Sequence, residues 1–289
     1  MGSTVLVVGA GGRLAGLVVP ELVRRGATVR GMVRMDAQAA VALANGAAEV
    51  VRADLRDPAG LRAAADGADG VFHVGPAFAA DEAQLGLNMI DAARAAGVRR
   101  FTFSGVHHPG NGLSNHSAKQ PVESALLRSG LEYTILQPSA LFQNIARGWR
   151  DAVERGVFEE PFPAEVRLAR VDFRDVAEVA AIALTGSDLA YGTFELCSGE
   201  STDRHDIAAA LSGVLARPVG VGEPPFERWA AGLPLADHHR AELAAVFRFY
   251  AEHGVAGNPL VLRTILGRAP RTLRDYVRDH AAGVPTQVA

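Results

Sequence analysis

The chain reads as an α/β protein, with a Rossmann-type, doubly wound parallel sheet joined to a smaller, discontinuous, mostly helical substrate lobe. Three observations predict this. Short apolar runs alternate with segments of helical period through the first half. The first run ends in a glycine cluster. The 289 residues, 48% hydrophobic and 21% charged, supply enough apolar material for an elaborated α/β unit with an added lobe.

Thr4–Val8 is almost continuously apolar, as a strand buried on both faces is, and runs directly into Gly9. Leu14–Arg25 carries Leu17, Val18, Glu21, Leu22 and Arg25 at helical spacing, and Gly26 is placed to stop it. Thr28–Val33 predicts a second strand, Ala37–Asn45 a short helix closed by Gly46, and Glu49–Arg52 a third strand. Leu61–Ala65 reads as a helix, Gly70–Val74 as a fourth strand, Asp81–Ala96 as a longer helix ended by Gly97, and Arg100–Ser104 as a fifth strand. Pro121–Ser129 predicts a helix with proline near its start and Gly130 after its end, and Tyr133–Gln137 a sixth strand. Beyond Pro138 the rhythm loosens. Pro161-Phe162-Pro163 interrupts the chain, Arg174–Leu184 reads as helix, Thr193–Cys197 as one more strand, Thr202–Leu215 as helix, and 226–280 as mostly helical. The predicted division is an NAD(P)-binding core over 1–155, to which 171–200 return, and a substrate lobe from 156–170 and 201–289.

Several function classes are disfavoured at once. The 29 basic and 32 acidic residues form no Lys/Arg-rich run, so no nucleic-acid partner is expected. No apolar stretch reaches the ~18 residues that span a bilayer, so no membrane partner is expected either. Cys197 is the single cysteine and cannot form an internal disulfide, which fits a reducing cytoplasm. The absence of G-x-S-x-G removes support for hydrolysis. The expected partner is a small-molecule substrate, and the oligomeric state stays open.

Gly9-Ala10-Gly11-Gly12-Arg13-Leu14-Ala15-Gly16 lies between a strand and a helix. Bare backbone there lets a pyrophosphate approach, and unpaired amides with the helix dipole face it. The spacing Gly9-x-x-Gly12-x-x-Ala15 departs from G-x-G-x-x-G, though Gly9-x-Gly11 overlaps it. The second strand ends in Val33-Arg34, and arginine at that place suits a 2′-phosphate. NADP(H) is therefore favoured over NAD(H), with Arg34 and Arg13 as the clamp. Asp54 and Leu55 follow the third strand, where adenine would lie; Gly75 and Pro76 follow the fourth, near ribose and pyrophosphate. The carboxyl edge of such a sheet also collects Ser104, the His107-His108 loop, Lys119, Gln137 and Pro138.

Lys119 is the only lysine among the 29 basic residues. Surface arginine and lysine interchange at little cost, but a position needing a titratable, compact amine does not. Lys119, His107 and His116 are the catalytic candidates. A metal site from His107, His108 and His116 is not expected, because no carboxylate or thiol lies nearby in the sequence. Phe142, Asn144, Trp149, Phe162 and Trp229 could line an apolar pocket, although each is equally ordinary core.

These segments together resemble the NmrA-like group of atypical short-chain dehydrogenases/reductases. The likeness rests on Gly9-Ala-Gly-Gly12-Arg13, Val33-Arg34, Asp54-Leu55-Arg56-Asp57, Phe101-Thr-Phe-Ser104-Gly-Val-His107-His108-Pro109 and His116-Ser-Ala-Lys119-Gln-Pro-Val-Glu123. It continues through Ser129-Gly-Leu-Glu-Tyr133-Thr-Ile-Leu-Gln137-Pro138 and Val171-Asp172-Phe-Arg-Asp175-Val-Ala. The resemblance covers about residues 4 to 280 and weakens in the C-terminal lobe. It implies a Rossmann fold binding NADP(H), in a group that includes quinone, triphenylmethane-dye and isoflavone-type reductases as well as redox-sensing regulators. It also implies that Lys119 holds the nicotinamide ribose. The tyrosine that precedes this lysine by four positions in typical members is here Asn115, whose amide cannot donate a proton at neutral pH. The leading expectation is an NADPH-dependent reductase that passes hydride to a small, apolar, already electrophilic substrate: a quinone, enone, dye or secondary metabolite. Lys119, His107 and His116 are then the proton sources within reach. Two alternatives stand beside it: an NADP(H)-sensing regulatory protein without turnover, and a non-redox isomerase or cyclase.

Overall fold

The computed structural model describes residues 2–199, 201–233 and 235–287. Its strands are β1 (Thr4–Val8), β2 (Thr28–Val33), β3 (Glu49–Arg52), β4 (Gly70–Val74), β5 (Arg100–Ser104) and β6 (Glu132–Pro138), then β7 (Ala140–Leu141), β8 (Val157–Glu159), β9 (Leu168–Val171), β10 (Gly192–Leu196), β11 (Ser201–Thr202) and β12 (Gly220–Gly222). Its helices begin with α1 (Val18–Arg24), α2 (Asp36–Ala44), α3 (Pro58–Ala65), α4 (Glu82–Ala95), α5 (Ser114–Ser117), α6 (Gln120–Leu127) and α7 (Ala146–Arg155). They continue with α8 (Phe173–Thr185), α9 (Arg204–Leu215), α10 (Phe226–Ala230), α11 (Asp237–His253), α12 (Leu260–Leu266) and α13 (Leu273–Ala281).

Seven strands form one parallel sheet in the order β10-β6-β5-β4-β1-β2-β3. Strand order reverses between β1 and β4, which opens a crevice at their carboxyl ends. The two-residue period of β1 sorts its side chains. Val5 and Val7 pack with α1, α8 and α12 on one face; Leu6 and Val8 pack with α3, α4 and α6 on the other. Burial on both faces explains why the strands read as apolar runs rather than alternating ones.

Two details differ from the sequence expectation. The Leu14–Arg25 segment opens with a 3-10 turn at Ala15–Leu17, and α1 proper starts at Val18. Pro20 then falls in the first helical turn, where a missing N–H breaks no bond. The lobe also contains five short strands among its helices. β7 and β11 flank β9, and β12 pairs with β8. Runs of two to four residues carry too few side chains to show a period.

The Val171-Asp172-Phe-Arg-Asp175 segment proves to be a seam. Asp172 caps α8 through the Arg174 amide (2.9 Å) and accepts from Gln143 Nε2 (2.9 Å), while Arg174 reaches Asp279 of α13 (2.9 Å). Asp175, fully buried, accepts from the Arg271 amide at 2.7 Å and from the guanidinium groups of Arg268 (2.8 Å) and Arg271. A chain that leaves the core at β10 is thus tied back to α8 by four carboxylate-centred contacts of its C-terminal arm.

His73 on β4 is fully buried between Phe101 and Phe103, with neither ring nitrogen hydrogen-bonded. Burial pushes its pKa down to about 4. In the unfolded chain it protonates below about 6.5, so between these values the unfolded state holds the extra proton and stability falls as pH falls. Urea unfolding of the wild type and His73→Leu should therefore diverge. Relative to pH 7.5, the variant should gain about 2–3 kcal/mol on the wild type at pH 4.5. Equal pH dependence in the two proteins would contradict the burial of a neutral imidazole.

Candidate active site

The glycine turn is shaped by the backbone first. Gly9 has φ +73°, a left-handed conformation that favours glycine, and its carbonyl accepts the Gly12 amide at 2.7 Å. A Cβ on Gly11 would overlap the Gln38 backbone, so this glycine lets α2 close on the turn. A Cβ on Gly12 would lie 3.0 Å from the Gly9 carbonyl oxygen. Leu14 lines the cleft just past the turn.

At the end of β2, Arg34 is exposed; its amide donates to Gln38 Oε1 at 3.1 Å, and its guanidinium makes no ion pair or hydrogen bond among the described residues. Asp36, the nearest acid, is ion-paired with Arg52 at the end of β3. Arg13 is placed elsewhere. It lines the cleft, with Tyr276 and Arg147 as its electrostatic neighbours, and burial lowers its pKa. The two-arginine clamp expected from sequence is corrected on this point. The turn aims Arg13 toward α7 and α13, while Arg34 stays beside α2.

Asp54 caps its own turn through the Arg56 amide (2.8 Å), and the Leu55 carbonyl accepts from Asn88 Nδ2 (2.8 Å). Gly75 and Pro76 begin the loop after β4. A Cβ on Gly75 would come within 2.7 Å of Glu82 Oε1, so this glycine makes room for a carboxylate. That carboxylate went unnoticed in the sequence. Glu82, 3% exposed in the first turn of α4, bonds Lys119 Nζ at 2.7 Å. Lys119 also donates to the Asn115 carbonyl at 2.8 Å, one turn earlier. Burial pushes the Glu82 carboxyl pKa up and the nearby ammonium pulls it down, with burial the larger effect.

Polar atoms without partners gather around this pair. Ser104 Oγ at the end of β5, Asn115 Oδ1, His107 Nδ1 and the second Glu82 oxygen are buried and unbonded. Unpaired buried polar atoms are costly, so their concentration at the carboxyl ends of β4 and β5 fits a bound polar ligand such as a nicotinamide riboside. Gln137 does not join them: its amide nitrogen donates to Glu123 of α6 at 3.0 and 3.1 Å. Pro138 lines the cleft, and its carbonyl accepts the His107 amide at 2.9 Å.

Beyond lies a cleft of about 430 Å³ between the sheet edge and the lobe. Phe78, Trp229, Leu243, Phe247 and Tyr250 form much of its apolar wall, and His107, His116, Asn115 and Asn144 face it. Of the other aromatic candidates, Phe142 and Phe162 sit fully or nearly buried in two lobe cores, and Trp149 packs on His280. His107 Nε2 lies 3.1 Å from the Ala256 carbonyl, and its pKa is lowered by burial, then by His108. His116 Nδ1 lies 3.0 Å from Asn111 Nδ2, and burial, with help from Lys119, takes its pKa to about 4. A lowered pKa leaves little imidazolium to act as an acid, which counts against the expected acid role of His107 and His116. They can hydrogen-bond to a ligand but are poor proton donors near pH 7.

The fold also brings a carboxylate to the histidine loop, contrary to the expectation from sequence. Glu195, arriving on β10, puts a carboxylate oxygen 3.5 Å from His108 Nε2, and His107, His108 and Glu195 offer ligand atoms within 4.8 Å of one another. His116 does not belong to that group. Such a convergence is invisible in the sequence, since Glu195 is remote from the histidine loop.

A model of the NmrA-like family matches residues 1–277. NAD(P)H azoreductase from Xenophilus azovorans is 28% identical over 287 residues, covering 96% of this chain and 98% of the relative. The NADPH-dependent quinone oxidoreductase of Escherichia coli, solved with NADPH, superposes with a TM-score of 0.81 at 25% identity over 95% of this chain and 98% of that one. The triphenylmethane reductase of Citrobacter sp. shares the fold, with a TM-score of 0.84 at 21% identity over 97% and 99% of the two chains.

The Glu82–Lys119 pair makes a stability prediction. In Lys119→Met the buried carboxylate loses its cation, and the pKa of Glu82 rises further. A raised folded pKa means that stability is retained at low pH and lost as pH climbs through it. Chemical unfolding at pH 8 should show a loss of about 3–5 kcal/mol. The loss should shrink toward pH 5 and be relieved by adding Glu82→Gln. The same loss at both pH values, without relief, would show that the pair is not coupled.

Proposed function

We propose, from the premise that this chain belongs to the NmrA-like family, that it reduces small, planar, electrophilic acceptors of the quinone, enone or azo- and triarylmethane-dye type, preferring NADPH to NADH. It is an oxidoreductase that uses NAD(P)H. What carries the narrower reading is the combination of an orphaned polar ring around Lys119 with an apolar, aromatic-walled cleft that holds no tyrosine at the Asn115 position.

The chain's own groups divide the work by position. The glycine turn at Gly9 and Gly12 offers backbone to a diphosphate. Arg34, free at the end of β2, suits a 2′-phosphate, and Asp36 is engaged by Arg52 and so withdrawn from a ribose hydroxyl. Lys119, held by Glu82 and the Asn115 carbonyl, presents its remaining N–H to the riboside. NADPH, when bound, supplies the hydride. Phe78, Trp229 and Phe247 exclude water and set a flat acceptor against the reacting face. No tyrosine stands at the Asn115 position, and burial lowers the pKa of both His107 and His116, so an acceptor that needs no acid catalyst fits the site best. The acceptor must therefore be one whose hydride adduct is neutral, as for a cationic dye, or a stabilised anion that takes its proton from solvent, as for a quinone or an enone. Quinones, cationic dyes and conjugated enones meet that condition; simple ketones do not.

Two measurements test this. Calorimetric titration should give tighter binding for NADPH than NADH, and Arg34→Ala should lower the NADPH:NADH affinity ratio about 10–100-fold, the value of a charge-assisted contact of about 1.5–3 kcal/mol. NADPH oxidation followed with quinone, dye, enone and simple ketone acceptors should be rapid with members of the first three classes and absent with the last. Tighter NADH binding by the wild type would overturn the cofactor preference. Firm cofactor binding with no oxidation by any acceptor would overturn the reductase reading.

A further inference from the structure

The cleft carries unbalanced charge. Five charged side chains line it: Arg13, Arg147, Arg170, Glu159 and Glu160. Both carboxylates already have cationic neighbours. Glu160 Oε2 lies 3.6 Å from Arg170 Nη2 and 4.0 Å from Arg204 Nε. Glu159 lies 3.3 Å from Arg155 and 3.6 Å from Arg228. Arg13 and Arg147 are different, since neither guanidinium makes an ion pair or hydrogen bond among the described residues. Arg147, on the first turn of α7, is exposed to the cleft, and Arg13 is half-buried at its edge.

Two unneutralised guanidinium groups in one apolar recess repel each other. Arg147 is destabilised as a cation by burial first and by Arg13 second, against a weaker opposing pull from Glu160. Other arginines that lack an ion pair or hydrogen bond among the described residues, such as Arg25, Arg62 and Arg128, lie on helix ends or surfaces outside the cleft. Arg13 and Arg147 face instead a wall of Trp229, Phe247 and Tyr250. An anion between the two guanidinium groups would relieve the repulsion and supply charge-assisted hydrogen bonds.

We propose that Arg13 and Arg147 form an anion subsite for the acceptor, so that the favoured substrates are flat apolar rings bearing a carboxylate, sulfonate or phosphate. This rests on the reading of the cleft as the acceptor site. The anion could instead come from the diphosphate of the cofactor, since Arg13 adjoins the glycine turn. Arg147 stands on α7, which packs through Ala152 against Phe158, Ile207 and Leu211 and lies beside the aromatic wall, and this favours the substrate.

The test compares 1,4-naphthoquinone with its 2-sulfonate for wild type, Arg147→Met and Arg147→Lys. In Arg147→Met the ratio of kcat/KM for the sulfonate over the neutral quinone should fall about 10–100-fold, and Arg147→Lys should recover part of it. Weakened NADPH binding in Arg147→Met with the ratio preserved would assign the anion to the cofactor and overturn the proposal. An equal loss on both quinones would overturn it as well. A direct arm does not depend on turnover. Naphthalene-2-sulfonate, titrated into the NADP-loaded protein, should release heat with wild type and not with Arg147→Met. If the wild type reduces neither quinone yet binds the sulfonate through Arg147, the reductase reading fails while the subsite stands. If it gives no heat with the sulfonate, the subsite fails whatever the activity.

Discussion

The buried ion pair of Lys119 and Glu82 is the constraint on which the site depends. A carboxylate 3% exposed survives in the first turn of α4 because the helix dipole and one ammonium share its charge. Its position dictates a glycine at residue 75, where any side chain would meet the carboxylate. It also anchors the start of α6 against α4, so the chain's single lysine is held at the ends of β4 and β5 rather than free to wander. The Asn115 carbonyl completes the anchorage and leaves Asn115 Oδ1 unbonded toward the cleft side.

From that anchorage the chemistry is narrowed by what surrounds it. Burial lowers the pKa of both His107 and His116, and the amide of Asn115 cannot release a proton. In the proposed reaction the site orients and stabilises rather than supplies a proton, and the aromatic wall with the two unpaired arginines would select by shape and charge acceptors that are electrophilic before they bind.

Much of the scaffold could be read in the sequence because its signals are local. The strands β1, β4, β5 and β6 announce themselves as mostly apolar runs ended by glycine, serine or proline, and the glycine turn lies between neighbours that identify it. Lys119 stood out by its rarity. What stayed hidden depends on distance. Glu82, Arg147 and Glu195 are ordinary charged residues until the fold brings each beside a partner from another segment. Gln137 misled in the opposite sense, since a polar residue at a strand end looks like a ligand contact but turns to Glu123. Arg174 and Asp175 belong to a motif recognisable in sequence, yet only the folded C-terminal arm shows that Arg174 fastens Asp279, and Asp175 fastens Arg271, to α8.

In the proposed reaction, hydride leaves a dinucleotide held by the glycine turn and Lys119 and arrives at a ring in the cleft. Single-turnover reduction of a quinone with NADPH deuterated on one or the other face of C4 measures that transfer directly. Deuterium on one face, and not the other, should slow the reaction several-fold in the wild type, and Lys119→Met should show a large drop in the rate constant of the same step. Rates insensitive to deuterium on both faces, or a Lys119→Met protein that transfers at the wild-type rate, would contradict it.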